Sequence, residues 1–292
     1  MSHTLKFVLL AAVALTGAAY IIPSPIQELF EPATPVVSQA SFDQYSPCGG
    51  RNAAFQPGEE ITYKIYYNWQ FVWMAAGEVT FKVDDDGDLY QLSAQGRTYD
   101  SYEWFYKVRD DYTSYVDKSS MLPVEYIQEI EEGKFRAYDR IHFDQIAYKA
   151  VSHRGKTKFD TKEKTYDLGG CMHDVLSMIY YLRNVDFDRY RPDDALDISV
   201  FMDKKTHPVR VNYRGKEARK KIKGQGRFNT IHFSPEMSEG EVFEKGTTMD
   251  IWVSDDNNRV PVQIESPLKV GSIKAVLKSH KNLRHPLKAK VK

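Results

Sequence analysis

Alternating apolar and polar residues dominate the chain from about residue 55 onwards. Ile61, Tyr63, Ile65 and Tyr67 alternate with Thr62, Lys64, Tyr66 and Asn68, which places one row of large side chains on one face of a strand. The same period of two recurs in further segments: 79–83, 90–94, 124–128, 135–143, 146–153, 157–164, 196–202, 209–213, 251–253, 260–264 and 273–277. The pattern therefore predicts about a dozen strands.

The connections between these segments are short and polar. Turns are predicted at Asp84 to Asp88, at Arg154 to Lys156 and at Asp255 to Asn258, because Asx and Gly residues tolerate the backbone of tight turns. Parallel strands would need long crossovers, so these spacings favour antiparallel neighbours.

One segment has helical spacing instead. Between Met172 and Arg183 apolar residues cover most of a helix circumference, with Gly169-Gly170 before it and Asn184 as a predicted C-terminal cap. A short helix with so little polar surface is usually buried. We therefore predict a mainly β fold, a curved antiparallel sheet or incomplete barrel wrapped around one central helix (172–183), which separates strands 55–165 from strands 195–283.

The N-terminus reads as an export signal. His3 and Lys6 precede a run of uncharged, mainly apolar residues from Phe7 to Ile22, the order found in secretory signals. Cleavage after the small residues near Gly17 and retention as a membrane anchor both remain open. The predicted organisation is a signal peptide or anchor (1–22), a Pro-rich arm (23–54), a single β-rich domain (55–283) and a basic tail (284–292). The protein is thus expected in the periplasm or associated with the cell envelope.

Composition narrows the function classes. The 292 residues include 40 Lys+Arg and 40 Asp+Glu, so no global field draws in nucleic acid, and none is predicted as a partner. The mean hydropathy is −0.52 and only one stretch is long and apolar, which excludes a multi-span transporter.

Two cysteines, Cys48 and Cys171, would lie in an oxidising compartment. A disulfide between the arm and the loop before the helix is one interpretation, and a free thiol at Cys171 is the other. A nucleophile–base pair of Cys171 with His173 is disfavoured, because residues two apart on a helix point in different directions.

Sequence signatures of metal and cofactor sites are absent. Counted from Asp84, positions six and twelve of a calcium loop would be Leu89 and Gln95, which do not fit, and the His residues show no zinc spacing. There is also no nucleophile elbow, phosphate loop or dinucleotide fingerprint. We predict no metal and no cofactor. Enzymatic activity stays undecided, because a pair of acid and base carboxylates leaves no recognisable spacing in the sequence. A noncatalytic role is favoured because the other catalytic motifs are absent.

Several motifs carry a family resemblance. They are Phe55 to Tyr63 (FQPGEEITY), Ala76-Gly77-Glu78, Val108-Arg109-Asp110, Val175-Leu176-Ser177 with Tyr180 to Arg183, Gly215-Lys216-Glu217, Trp252 to Asp256 and Arg259 to Val262. In this order, over residues 55–280, the chain closely resembles exported bacterial proteins grouped as a domain of unknown function. That resemblance implies no activity. A weaker, fold-level analogy is to the open barrels of periplasmic lipoprotein carriers.

Two groups of residues are candidates for binding an apolar ligand. Tyr102, Trp104 and Tyr106 belong to an aromatic segment that could stack on sugars or line a pocket, although strands favour aromatics in any case. Met172, Met178 and Met202 can adapt to a guest as readily as they fill a core. The leading hypothesis is a noncatalytic envelope protein that binds an apolar or amphiphilic ligand in a cleft between helix and sheet.

Basic residues concentrate towards the C-terminus. An anionic lipid or an acidic glycan could be contacted through five of them: Lys204, Lys220, Lys221, Lys281 and Lys288. A solubilising surface is the alternative. Two further hypotheses for the protein are an envelope scaffold that binds glycan or a protein partner, and a hydrolase acting on envelope material.

Overall fold

The computed structural model describes residues 49–69, 72–104, 106–236, 248–268 and 271–291. These residues form fifteen strands, two α-helices and one turn of 3-10 helix at Phe187–Arg189. The strands are β1 (Glu60–Trp69), β2 (Val72–Asp86), β3 (Leu89–Thr98), β4 (Val108–Asp117), β5 (Pro123–Glu132), β6 (Phe135–Asp144), β7 (Lys149–Gly155), β8 (Lys162–Asp167), β9 (Ala195–Met202), β10 (Lys205–Ile222), β11 (Gly226–Pro235), β12 (Asp250–Ser254), β13 (Pro261–Pro267), β14 (Ser272–Lys281) and β15 (Lys290–Val291). The helices are α1 (Asp100–Glu103) and α2 (Val175–Leu182).

All strands belong to one antiparallel sheet with the order 8-7-6-5-4-3-2-1-14-13-12-11-10-9, and β15 pairs with β11. The chain therefore makes two meanders, β1–β8 and β9–β14, which join where β1 pairs with β14. The prediction of a mainly β fold with antiparallel neighbours is confirmed. The sheet does not close, because β8 and β9 are its two ends.

Side-chain contacts nevertheless link the two ends. Arg154 of β7 forms salt bridges with Asp139 of β6 at 3.3 Å and with Asp203, just after β9, at 3.0 Å. The rings of Tyr166 in β8 and Phe201 in β9 lie 5.3 Å apart. The gap between the meanders is thus covered by side chains and not by backbone hydrogen bonds.

Several strands differ from those predicted. The predicted strands 146–153 and 157–164 are displaced towards the C-terminus, because the turn between them is built on the carboxylate of Asp160, which accepts hydrogen bonds from the amide and hydroxyl of Thr157. Strands β4, β11 and β15 were not predicted. The 284–291 part of the predicted tail packs on the body, with Ala289 buried and β15 paired to β11.

Helix α2 begins three residues later than predicted, because His173 makes a parallel β-bridge with Val200. Asp174 then caps the helix, accepting hydrogen bonds from the amides of Leu176 and Ser177 at 2.7 and 2.9 Å. The Ser177 hydroxyl accepts from the Asp174 amide, which completes a capping box. The C-terminal cap is Arg183 and not the predicted Asn184.

The side chains of α2 are buried on nearly every side and belong to two apolar clusters. Leu176 and Tyr180 belong to a cluster that covers β1–β8 and also includes residues of the second meander, while Val175, Met178 and Leu182 pack with residues of β9–β12. The helix therefore contacts both meanders, and its stability comes from packing, since eight residues do not form a stable helix alone.

The cap of α2 gives a direct test. Asp174 is completely buried and also accepts a 2.5 Å hydrogen bond from the Ser114 hydroxyl of β4. We expect Asp174→Ala to lower the free energy of unfolding by about 2–3 kcal/mol, because it removes the cap and leaves the Ser114 hydroxyl unsatisfied. The control is Asp174→Asn, whose amide oxygen still accepts the two helix amides and which should lose less. Equal urea midpoints for Asp174→Ala and the wild type would contradict the assignment.

Candidate functional site

An apolar cavity of about 120 Å³ lies between α2 and the inner faces of both meanders. Its lining residues come from β1, β2, α2 and β10–β14: Ile61, Tyr63, Val79, Phe81, Val175, Met178, Ile179, Tyr180, Leu182, Arg183, Val209, Val211, Phe233, Pro235, Met249, Ile251, Val253, Pro261, Ile264 and Ala275. Arg183 is the one charged residue in this lining. The cavity is close to the ~150 Å³ of engineered apolar cavities that bind benzene, and below the ~300–1,000 Å³ of drug-sized ligand pockets.

Arg183 is neutralised where it meets the cavity. Its guanidinium makes a bidentate pair with the carboxylate of Glu59, with N–O distances of 2.5 and 2.9 Å, and both side chains are almost fully buried. The Nε donates a 3.1 Å hydrogen bond to the backbone carbonyl of Asn258. Burial is the largest effect on the pKa of Arg183 and lowers it, but the charge of Glu59 and the hydrogen bonds to its carboxylate together raise that pKa above its ordinary value. The guanidinium of Arg183 therefore keeps its charge and meets the Glu59 carboxyl group at the cavity wall.

Apart from Arg183, the polar side chains of the lining are the phenols of Tyr63 and Tyr180. Burial raises the pKa of Tyr63 and of Tyr180 well above the ordinary value, so both remain neutral and present hydroxyl groups only. The lining thus consists of apolar side chains, two neutral phenol groups and one guanidinium that is already paired.

Three of the sequence motifs meet at this pair. Glu59 follows Pro57-Gly58. Gly58 has a φ of +82°, a backbone conformation that favours glycine, and the amide of Gly58 donates to the carbonyl of Val83. Arg183 ends the Tyr180 to Arg183 motif, and Asn258 directly precedes the Arg259 to Val262 motif. Residues far apart in sequence are therefore joined at one end of the helix.

A comparison with protein families identifies the family of this chain. A model of the family described as a protein of unknown function, DUF3108, matches residues 62–278. The chain belongs to the DUF3108 family. No curated protein sequence matches it.

The fold of this DUF3108 protein is similar to a solved structure of a beta-barrel-like protein of another domain of unknown function, DUF1849, from Brucella abortus. The TM-score is 0.52 at 10% sequence identity, over 77% of this chain and 97% of that one. At this identity the likeness concerns the fold alone.

The structure does not bring the six predicted ligand-binding residues together. Met178 lines the cavity. Met172 and Met202 are buried in the two apolar clusters without reaching it. Tyr102, Trp104 and Tyr106 lie in the connection between β3 and β4, and Trp104 is 84% exposed. Apart from Met178, the lining residues were missed, although many belong to the alternating rows that predicted the strands.

The five predicted basic contacts are also spread over the surface of the DUF3108 protein. Lys204 lies in the turn before β10, while Lys220 and Lys221 are at the far end of that strand, about 50 Å away if it is extended. Lys220 covers the ring of Trp252. Lys281 pairs with Glu60, and Lys288 is exposed on the C-terminal segment.

The free-thiol alternative at Cys171 is not supported, because no cysteine among the described residues is free. Cys48 lies outside the described residues, so its pairing with Cys171 stays a prediction. His173 is buried, which lowers its pKa to about 4, and its Nδ1 lies 3.2 Å from the Ser177 hydroxyl. This neutral imidazole is directed at Ser177 and has no free thiol at Cys171 to deprotonate.

Among the described residues, no group of three or more His, Cys, Asp or Glu side chains is placed to hold a metal ion. No helix within the same residues is long and apolar enough to cross a membrane.

A second buried polar group lies on the inner faces of β4 and β5. The carboxyl groups of Asp110 and Glu132 are hydrogen-bonded to each other and are both 2% exposed. Burial raises the pKa of Asp110 to about 7, although the amide of Glu131 donates to its carboxylate at 3.2 Å. Neither residue lines the described cavity.

The buried ion pair predicts a strong coupling. Glu59→Leu or Arg183→Met alone should lower the free energy of unfolding by about 3–5 kcal/mol, because each leaves an uncompensated buried charge. The double variant replaces both charges with apolar groups and should lose much less. The four proteins form a double-mutant cycle measured by urea unfolding. Additive losses would show that the two side chains do not interact.

Asp110 predicts a pH dependence. Its folded pKa is raised, so between about pH 4 and pH 7 the folded protein holds a proton that the unfolded chain has released. The free energy of unfolding therefore falls as pH rises through this window. Asp110→Asn should flatten that slope and be more stable than the wild type above pH 7. The exposed Asp84→Asn is the control and should keep the wild-type slope. An unchanged slope in Asp110→Asn would contradict the prediction.

Proposed function

We propose that this DUF3108 protein is a noncatalytic cell-envelope protein that binds an apolar or amphiphilic ligand between α2 and a sheet that wraps around it. The observation that carries the proposal is the apolar cavity beneath the helix. A core packed at the usual density leaves few voids larger than a water molecule. A space of this size, lined by residues from both meanders, is therefore a candidate binding site.

The lining specifies the ligand class. Because Arg183 is already paired with Glu59, an anionic group would find no free cation in this lining and would lose its hydration. Met178 and Met249 flank the space, and their flexible side chains can move aside for a guest. The ligand is thus an uncharged ring or a branched or linear alkyl group, which can be the apolar end of a larger amphiphile.

The enzymatic alternative has weaker support. Asp110 and Glu132 are paired carboxyl groups, one of them with a raised pKa, as hydrolases use. Both are buried and neither lines the described cavity, so the apolar cavity and the carboxyl pair do not form one site. The noncatalytic function is therefore the better-supported conclusion.

Binding can be measured with a graded series of apolar probes, from benzene and indole to fluorescent fatty-acyl chains. We expect saturable binding at one site, with micromolar affinity or better for the best probe, or about 8 kcal/mol. Ala275→Leu should weaken binding at least tenfold, because Ala275 lines the cavity and a larger side chain fills it.

The matched control is Ala94→Leu. Ala94 is equally buried on the inner face of β3 but does not line the cavity, so both variants carry a similar overpacking cost of about 1–3 kcal/mol. Only Ala275→Leu should lose affinity. No saturable binding across the series, or equal losses in the two variants, would contradict the proposal.

A further inference from the structure

Exposed apolar side chains gather at one end of the first meander. In a meander, alternate connections lie at the same end of the sheet, so the β1–β2, β3–β4, β5–β6 and β7–β8 connections share one end. Each of these four carries at least one exposed large apolar residue: Val72 (60% exposed) and Trp73 (37%), Trp104 (84%), Phe135 (42%) and Phe159 (87%). We name these five residues the aromatic rim.

The opposite end differs. Among its described residues, the β2–β3 and β4–β5 connections expose no large apolar side chain, and Met121 and Leu122 are buried. Only the β6–β7 connection does so, through Ile146 and Tyr148. Single exposed apolar residues are common on any protein. An exposed large apolar residue at each of the four connections of one end is a regular pattern, and it indicates that this end binds a partner.

Charge follows the same axis. The rim tips carry three exposed lysines, Lys134, Lys156 and Lys158, which form no salt bridge with any described residue, and the exposed carboxylates of Asp100 and Asp160. Lys158 also lies over the ring of Phe159, 5.3 Å from its centroid. At the other end, the β2–β3 hairpin carries a run of acidic residues: Asp84, Asp85, Asp86 and Asp88. An anionic surface would therefore attract the rim and repel the opposite end.

We propose that the aromatic rim docks this protein on an anionic lipid bilayer. Neighbouring tips are about 10 Å apart, since each is separated from the next by two strands, so the apolar side chains stand as separate points among lysines. Trp side chains favour the headgroup region of a bilayer, and each nearby Lys adds attraction to anionic lipid. A protein partner would instead favour one contiguous apolar patch. The proposal does not depend on the cavity.

Quenching of tryptophan fluorescence by brominated lipids tests the proposal in the full chain. The vesicles contain equal parts of phosphatidylglycerol and phosphatidylethanolamine, with bromine on the acyl chains. Quenching is local, so it reports contact by the rim even if residues 7–22 also hold the chain on the vesicle. We expect quenching that is partly lost in Trp104→Phe and that is much weaker with phosphatidylcholine vesicles.

The charge contribution is tested with two matched double variants. The double variant Lys156→Gln with Lys158→Gln should raise the lipid concentration for half-maximal quenching roughly thirtyfold. Each lysine contributes about 1 kcal/mol of attraction to anionic lipid, and each 1.4 kcal/mol changes the binding constant about tenfold. Arg51→Gln with Lys149→Gln removes the same charge near the opposite end and should leave that concentration unchanged.

A second pair tests the apolar contribution. Phe159→Ser should weaken quenching, whereas Ile146→Ser at the opposite end should not. Equal quenching of the wild type and Trp104→Phe, or equal effects of the two charge variants, would overturn the proposal, and rim-dependent capture by a protein without any lipid quenching would replace it. A negative result with the apolar probes leaves this experiment informative, because none of its variants lines the cavity.

Discussion

The ion pair of Glu59 and Arg183 is the interaction on which the arrangement of helix and sheet depends. Two charges removed from water are costly unless each meets the other with good geometry. The bidentate contact meets this requirement, and the carbonyl of Asn258 takes a third guanidinium hydrogen bond. Since Glu59 precedes β1 and Asn258 joins β12 to β13, one side chain at the end of α2 fixes both meanders.

That constraint also determines the character of the cavity. The Glu59 carboxylate holds the guanidinium at the wall, so the only charge in the lining is satisfied before a ligand arrives. The remaining walls come from rows of apolar side chains on β1, β2 and β10–β14. At its other end α2 is held by the Asp174 cap and by Ser114 of β4. A helix fixed at both ends keeps a gap beneath it that a free helix would close by shifting.

Much of the fold could be predicted from the sequence, because a sheet with one buried face imposes a period of two. That signal failed in β4, whose inner face carries Asp110 and Ser114 among apolar residues, and in β11, where buried residues such as Ile231 and Phe233 do not follow a simple alternation. The helix was found by its spacing, but its start was set by the bridge from His173 to Val200. The pairing of Glu59 with Arg183 spans 124 residues, and no local pattern reports such a contact.

The same geometry makes the two ends of the cavity unequal. At the helix C-terminus, any opening must separate Glu59 from Arg183, and leaving a buried charge unpaired costs about 3–5 kcal/mol. Towards the aromatic rim the lining consists of neutral residues such as Val209, Pro235 and Met249, whose separation exposes apolar surface without stranding a charge. Separation of these residues leaves the Glu59–Arg183 pair intact. A ligand exchanged there would enter and leave at the end of the sheet that carries the exposed aromatic and lysine side chains.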